Sequence, residues 1–259
     1  MYKIGLKLWS TNTDHYLHEA IRLYAEGVYD YIELFVVPET KETLSAWFKI
    51  HEEHSIPFII HNAHSAVGFN LADASCEARN REIYVQTKLF ADKLDAKYII
   101  FHGGVDGTIE EVSRQLKSFE EPRALIENKP YLPLPGPMMR KVCRGATIEE
   151  ISDVIDKVGC GFCLDIGHAV CAANSQGVDP YSYIERFAQL NPAIFHLSDI
   201  TDMASQYDAH PHLGSGELHI KWLKTKVFPA NAIVSVETVK EHAADLRDFE
   251  ADVNYLRKI

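Results

Sequence analysis

The chain has 259 residues, of which 46% are hydrophobic and 24% are charged, a composition that is ordinary for a globular protein with a sizeable core. Its formal net charge of −11 argues against general attraction to nucleic acid or anionic membranes, because a field of this sign repels phosphates. No apolar run approaches the roughly 20 residues of a membrane span, and the start MYKIGLKLWS lacks the order of a signal peptide, so we expect a cytoplasmic protein.

Eight short runs of β-branched and aromatic residues recur along the chain and predict eight strands. In chain order they are YKIGLKLW (2–9), YDYIELFVV (29–37), PFIIHN (57–62), KYIIFHGG (97–104), RALIEN (123–128), GFCLDIGH (161–168), AIFHLSD (193–199) and AIVSVET (232–238). Segments with helical periodicity follow most of these runs, among them 15–27, 42–54, 82–96, 147–159 and 241–259.

Near-continuous apolar strands that alternate with amphipathic helices predict a parallel sheet covered by helices. Eight such units in about 250 residues match the size of a single (β/α)8 TIM barrel, which would occupy residues 1–259 as one domain. An open doubly wound sheet is the alternative. That fold often carries a glycine fingerprint after its first strand, where this chain has LWSTNTD, so we prefer the barrel.

One predicted loop, at about residues 128–146, differs in composition from the rest of the chain. It contains four prolines and no acidic residue. Its basic residues are Lys129, Arg140, Lys141 and Arg144. As a long loop that follows a strand, it would overhang the C-terminal face of the barrel.

Polar residues end six consecutive predicted strands, from the third to the eighth. They are five histidines and four carboxylates: His61, His64, His102, Glu127, Asp165, His168, His196, Asp199 and Glu237. A glycine-bearing loop, YDAHPHLGSGEL (207–218), then adds Asp208 and His210. Because the C-terminal face of a barrel is built where its strands end, we expect these side chains to share one mouth.

Any one of these residues could be a structural hydrogen-bond partner. Nine together would be expensive to desolvate unless divalent metal ions compensate for the cost. Imidazole and carboxylate suit Zn²⁺, Mn²⁺ or Fe²⁺, and the set contains no thiolate. The pattern therefore predicts a metal site, and nine candidate ligands are too many for one ion.

The ordered strand ends resemble those of the endonuclease IV family, within the wider superfamily of xylose isomerase-like barrels, along nearly the whole chain. HSAVGFNLA resembles that family's histidine followed six residues later by Asn-Leu, which selects His64 over His61. IIFHGG, ALIEN, CLDIGH, FHLSD and VSVET are similar to its strand-end motifs, and DAHPHLGSGEL is similar to its DRHxxxGxG signature. The resemblance implies a trinuclear zinc site with nine ligands: His64, His102, Glu127, Asp165, His168, His196, Asp208, His210 and Glu237.

The resemblance also implies a reaction. Such a centre would hold a hydroxide between metals and clamp a phosphate, so that the attacking and leaving oxygens are both stabilised. Glu127 would be the carboxylate that bridges two metals beside the hydroxide. We expect Glu127 and Glu237 to be the catalytic carboxylates.

Two departures from the family bear on the substrate. The family grips DNA with basic and aromatic residues, whereas the second βα loop here, VVPETKETLSAW, is acidic, and Val67 stands where the family has an inserting tyrosine. Together with the net charge, these departures argue against cleavage of abasic DNA. The basic side chains of Lys129, Arg140, Lys141 and Arg144 would suit a small phosphorylated or acidic substrate, the alternative being that they are solvated surface charges.

Three hypotheses of function follow. The first is a metal-dependent phosphoester hydrolase that acts on abasic DNA or on a smaller phosphorylated substrate, with up to three zinc ions or with manganese or iron. The second is a sugar or sugar-phosphate isomerase or epimerase, in which one divalent ion polarises the substrate while Glu127 and Glu237 shuttle a proton. The third is an oxidoreductase that uses the same cluster with iron. The Asp208 and His210 pair favours the first, because many sugar isomerases of the superfamily lack it.

Overall fold

The computed structural model describes residues 2–134, 141–242 and 245–259. Eight parallel strands close into a barrel in the order of the chain, each paired with its sequence neighbours and the last paired with the first. The strands are β1 Lys3–Trp9, β2 Tyr31–Phe35, β3 Phe58–His61, β4 Ile99–His102, β5 Ala124–Glu127, β6 Gly161–Asp165, β7 Ile194–Leu197 and β8 Ile233–Val236. The prediction of a single (β/α)8 TIM barrel is confirmed.

Nine α-helices in the described ranges surround the barrel. They are α1 His15–Ala25, α2 Leu44–His54, α3 Glu77–Lys93, α4 Ile109–Ser118, α5 Ile148–Val158, α6 Ile166–Gln176, α7 Pro180–Ala188, α8 Ile220–Lys226 and α9 Arg247–Lys258. Their apolar faces pack against the outer sides of the strands in one large hydrophobic core. None of the helices in these ranges is long and apolar enough to cross a membrane.

Two element boundaries differ from the predicted ones. The sequence predicts one strand over 161–168, but β6 ends at Asp165, whose carboxylate accepts the backbone N–H of His168 at 2.7 Å and caps α6. His168 therefore lies in the first turn of a helix. The sequence predicts the last helix from residue 241, but it begins at Arg247, because the Asp245 carboxylate accepts the Arg247 N–H and competes with helical bonding before that point.

The interior of the barrel contains two layers of side chains, contributed by alternate residues of the strands. The apolar layer lies toward the amino ends of the strands and consists of Tyr31, Ile59, Ile100, Leu125, Cys163 and Ile194. The polar layer lies two positions further along the same strands and consists of Glu33, His61, His102, Glu127, Asp165 and His196, joined by Lys7 of β1 and Ser235 of β8. Every residue of the polar layer is buried.

The two layers contact each other where β1 lies between β2 and β8. A Cβ at Gly5 would lie 2.3 Å from Cζ of Tyr31, so glycine at this position makes room for the aromatic ring inside the barrel. The Tyr31 hydroxyl in turn shares a hydrogen bond of 2.8 Å with Ser235 Oγ. The Tyr31 ring of the apolar layer thus contacts the polar layer through Ser235.

Candidate metal centre

Glu127, at the end of β5, lies at the centre of the polar layer. Its Oε2 is 2.9 Å from His102 Nε2 and 3.0 Å from His61 Nε2. Its Oε1 is 3.1 Å from His168 Nδ1, and His196 Nδ1 lies 3.6 Å from Oε2. One carboxylate therefore faces four imidazole rings. Because His168 Nδ1 also lies 2.8 Å from the carbonyl oxygen of Asn128, that ring holds its proton on Nδ1, and its Nε2 is the nitrogen directed toward Asp208.

A second group of ligand atoms surrounds His196 on β7. Its Nδ1 is 3.0 Å from Glu237 Oε2 and 3.8 Å from Asp165 Oδ2. On the other side of the ring, Nε2 donates to Glu33 Oε2 at 2.9 Å. A carboxylate that accepts one ring N–H fixes the orientation of a histidine and aims the other nitrogen at a metal. Glu33 therefore turns Nδ1 toward Glu237 and Asp165.

Lys7 balances part of the negative charge in the polar layer. Its Nζ lies 3.1 Å from Glu33 Oε1 and 2.7 Å from Glu237 Oε1, and Ser235 Oγ donates a further hydrogen bond to Glu33. Removing either partner of such a buried pair would leave an uncompensated charge. Lys7 thus holds Glu237 by one oxygen and leaves the other oxygen facing His196.

A third group lies at the mouth, where α6 meets the loop after β7. Asp208 Oδ2 is 3.4 Å from His168 Nε2 and 2.5 Å from His210 Nε2. The backbone of His210 has a φ of +50°, in the left-handed region that residues other than glycine rarely adopt. Such a conformation persists only where the surroundings determine it, and it clusters at functional sites. Here it places the imidazole against Asp208.

The loop 199–218, which carries this third group, is held by Asp199. The Asp199 carboxylate accepts the N–H groups of Gly214 at 2.8 Å and Gly216 at 3.1 Å. A Cβ at Gly216 would lie 2.2 Å from the carbonyl oxygen of Ile200, so the loop can pass here only as glycine. The Asp199 side chain therefore holds the loop by accepting hydrogen bonds from the loop backbone.

Burial and neighbouring charges set the protonation states of the centre. Burial lowers the pKa of His102 well below its ordinary value, so the ring is neutral. Burial raises the pKa of Glu127, but His102 and His196 outweigh it and hold that pKa well below its usual range. Lys7 and His196 do the same for the pKa of Glu237. Neighbouring acidic groups outweigh burial at His168, His196 and His210 and raise the pKa of each ring, so a metal ion bound there would displace a proton.

Unpartnered buried atoms test whether a metal fits this centre. Within the described ranges, five side-chain atoms of the centre have no hydrogen-bond partner: Oε1 of Glu33, Nδ1 of His196, Oε2 of Glu237, Oδ1 of Asp208 and Nδ1 of His210. Of these, Glu33 Oε1 is paired with the Lys7 amine, and His196 Nδ1 and Glu237 Oε2 face each other at 3.0 Å. Each unsatisfied buried polar atom lowers the stability of the fold by about 1–3 kcal/mol, so several such atoms at one place favour binding of a cation there. The donor set, imidazole nitrogen and carboxylate oxygen, suits zinc, manganese or iron. The ligand atoms lie within 4.8 Å of one another in overlapping groups that include His61–His102–Glu127, Glu127–Asp165–His168 and His168–Asp208–His210.

His64 occupies the wall of the mouth above the polar layer. Its ring stacks on the His102 ring with centroids 5.7 Å apart, and burial lowers its pKa to about 3. It lines a cleft with His210 and Glu237. The structure thus brings together all nine of the predicted ligands: His64, His102, Glu127, Asp165, His168, His196, Asp208, His210 and Glu237.

The basic loop residues occupy different surroundings. Lys129 lines the mouth, with its Nζ 3.3 Å from His168 Nε2. Lys141 Nζ lies 3.4 Å from Asp106. The Arg144 guanidinium is tied to the Asp106 carbonyl oxygen at 2.8 Å and to the Glu150 carboxylate at 3.4 Å. Arg140 lies outside the described residues.

Two residues of the centre, Lys7 and Glu33, were missed from the sequence, and His61 was predicted at the mouth but not in the ligand set. The prediction considered where the strands end, whereas Lys7 and Glu33 lie inside strands, and the family motif selected His64 in place of His61. The sequence signal was a charged residue within an apolar run, Lys7 in KIGLKLW and Glu33 in YIELF. Both stand at alternate strand positions whose side chains face the barrel interior.

Comparison with known proteins gives a consistent picture. Residues 21–259 match the family model described as "Xylose isomerase-like TIM barrel". The chain is similar to a protein of Mycobacterium leprae named "Probable endonuclease 4", with 29% identity over 208 residues, which are 75% of this chain and 77% of that protein. It is also similar to the protein of the same name from Thermoplasma volcanium, with 26% identity over 234 residues, or 85% and 80% of the two chains.

Solved structures with a similar fold belong to more than one kind of enzyme. Endonuclease IV from Thermus thermophilus aligns with a TM-score of 0.68 and 18% identity, covering 99% of this chain and 100% of that one. A D-tagatose 3-epimerase-like protein aligns with a TM-score of 0.69 and 16% identity, covering 99% and 96%. At such identities the likeness shows the fold alone. The resemblance inferred from the motifs is confirmed by the family model and by the named relatives.

Proposed function

We propose that this chain, which belongs to the xylose isomerase-like TIM barrel family, is a metal-dependent phosphoester hydrolase of the endonuclease IV type. Its substrate would be a small phosphorylated compound, with abasic DNA as the alternative. Its cofactor would be up to three zinc ions, with manganese or iron as alternatives. The observation that carries the proposal is the set of overlapping ligand groups that Glu127 and His168 join into one centre.

The residues of the centre have distinct roles in this proposal. When bound, the metal ions would supply Lewis-acid activation of water and charge neutralisation at the phosphate. Glu127 and Glu237 would be the catalytic carboxylates, Glu127 because both of its oxygens face imidazoles, and Glu237 because Lys7 holds one oxygen while the other faces His196. Asp208 would hold the outermost metal. Lys129, beside His168, would neutralise a phosphate oxygen.

The size and charge of the mouth favour a small substrate. A pocket of about 200 Å³ lies over the centre, and a cleft of about 500 Å³ continues from it past His64 and His210. Together these volumes are in the range of small-molecule sites. Glu42, on the second βα loop, is exposed, and its charge would repel a DNA backbone. Val67, at the position of the family's inserting tyrosine, is an aliphatic side chain that offers no ring for stacking.

A single-metal sugar isomerase or epimerase is the second candidate. It is favoured by the placement of Glu127 and Glu237 near the same nitrogen of His196, Nδ1, because a pair of neighbouring carboxylates could pass a proton between neighbouring carbons. That reaction has no use for the group formed by Asp208 and His210. The metal content of the protein therefore separates the two candidates.

Elemental analysis of the purified protein tests the proposal. We expect close to three metal ions per chain, one fewer in Asp208→Ala, and full content in the control Ser215→Ala, which changes an exposed residue of the same loop. A panel of phosphomonoesters, phosphodiesters and abasic DNA would then show turnover that follows the metal content. One metal that survives both Asp208→Ala and His168→Ala, without phosphoester turnover, would instead support the isomerase.

A further inference from the structure

His61 is a buried histidine of the polar layer that the nine-ligand set does not include. It is 1% exposed, at the end of β3. Its Nδ1 lies 2.8 Å from the carbonyl oxygen of Asn62, and its Nε2 lies 3.0 Å from Glu127 Oε2. Both ring nitrogens thus face oxygen atoms that accept hydrogen bonds.

The Asn62 contact determines where the ring proton lies. A carbonyl oxygen can only accept, so the proton of a neutral His61 ring is on Nδ1. The lone pair of Nε2 is then directed at a carboxylate oxygen 3.0 Å away. Two lone pairs at this distance repel each other unless a cation lies between them, either a second proton or a metal ion.

A metal ion is the better occupant, because a third ligand atom points to the same place. His102 Nε2 lies 2.9 Å from the same Glu127 oxygen, and the two imidazole rings meet edge to face with centroids 4.8 Å apart. The three ligand atoms lie within 4.8 Å of one another. Two imidazole nitrogens and one carboxylate oxygen are the donor set of a His2Glu zinc site, in which one ion is bound by all three atoms.

We infer that His61 is a tenth metal ligand, which joins His102 and Glu127 in binding the innermost metal. This inference rests on the proposed metal centre. Two imidazole nitrogens and one carboxylate oxygen would then hold that metal, and the fourth position of a tetrahedral ion would stay open.

Substitution of His61 tests the inference through metal binding. We expect His61→Gln to weaken binding of one metal of the set by more than about 100-fold in chelator competition, beyond what loss of a supporting residue causes. The visible spectrum of the Co²⁺-substituted protein should change at the same time. The matched control is His51→Gln, because His51 Nδ1 also lies 2.9 Å from a backbone carbonyl oxygen, that of Ile56, on helix α2 outside the centre. The control should leave affinity and spectrum unchanged.

A second measurement on the unaltered protein keeps the inference testable if His61→Gln does not fold. In protein labelled with ¹⁵N-histidine, zinc titration should shift the Nε2 resonance of His61 to that of a coordinated nitrogen while Nδ1 keeps its proton. A ring that stays doubly protonated throughout loading, or a variant with native affinity and an unchanged Co²⁺ spectrum, would overturn the inference alone. An unaltered protein that binds no metal would overturn the proposed function instead.

Discussion

The apolar and polar layers of the barrel interior are built by the same strands, two residues apart. At the lower level β5 contributes Leu125 and β6 contributes Cys163, whereas at the upper level they contribute Glu127 and Asp165. The lower level resembles the interior of any barrel, where bulky side chains fill the space. The upper level buries carboxylates and imidazoles together, a combination that suits a bound cation. Residues two positions apart on one strand thus serve stability in one layer and chemistry in the other, and four sets of substitutions test this division.

The largest contrast is expected between Glu127→Gln and Leu125→Ala on β5. Glu127→Gln removes the charge that faces four imidazoles, so we expect metal affinity and activity to fall by more than about 100-fold. Leu125→Ala leaves a cavity in the apolar layer and should lower the free energy of unfolding by about 2–5 kcal/mol with full metal content. Elemental analysis and urea denaturation measure both quantities. Equal loss of metal in both variants would show that the layers are not separable.

The next effect concerns the mouth above the polar layer. Gly216→Ala would place a Cβ 2.2 Å from the Ile200 carbonyl oxygen and so displace the loop 199–218. We expect the outermost metal to be lost while those bound in the polar layer remain, because the strands hold their ligands independently of the loop. Metal content and the melting temperature together report this outcome. Full metal content in Gly216→Ala would mean that the loop does not position Asp208.

A smaller effect is expected when the support of one ligand is removed. Glu33→Gln keeps the size of the side chain but weakens the contact that orients His196, so metal affinity should fall by about 10–100-fold. Ser235→Ala removes one donor to Glu33 and should cost less. Chelator competition measures both variants. An affinity loss in Ser235→Ala as large as that in Glu33→Gln would assign the orienting role to the serine.

The smallest effect is expected at the rim. Lys129→Ala removes an amine that lines the mouth, and we expect the KM for a phosphorylated substrate to rise several-fold with little change in kcat. The rise corresponds to a loss of about 1 kcal/mol in the free energy of substrate binding. Lys141→Ala is the matched control, because that amine is paired with Asp106. Steady-state kinetics would separate the two lysines. A rise in KM for Lys141→Ala alone would reverse their roles.

The strands and the clustering of the candidate ligands could be predicted from the sequence because both depend on local patterns. An apolar run followed by a polar residue marks a strand end, and the geometry of a parallel barrel brings such ends together. Motif spacing identified His102 and Glu127 directly. The same reasoning located Asp208 and His210 in a glycine-bearing loop that has no periodicity of its own.

The remaining features depend on contacts between distant segments. The role of Lys7 appears only when β1 lies between β2 and β8, since its partners are Glu33 and Glu237. Arg144 looks free on a basic loop, but Asp106 and Glu150 hold it, and no pattern within the loop reveals those partners. Charge and spacing in the sequence indicate which residues are candidates for the site, whereas their ion-pair partners become known only from the fold.

The seam between β8 and β1 has a consequence for how the protein is assembled. Ser235 contacts Tyr31 and Glu33 across separations of 204 and 202 positions in the chain, so these bonds form only when the ring of strands closes. Closing so long a loop is entropically costly and slow compared with local structure. Metal uptake at Glu237, which Lys7 of β1 holds, would therefore be a late event in refolding that reports completion of the barrel, and metal added there would slow unfolding more than it speeds folding.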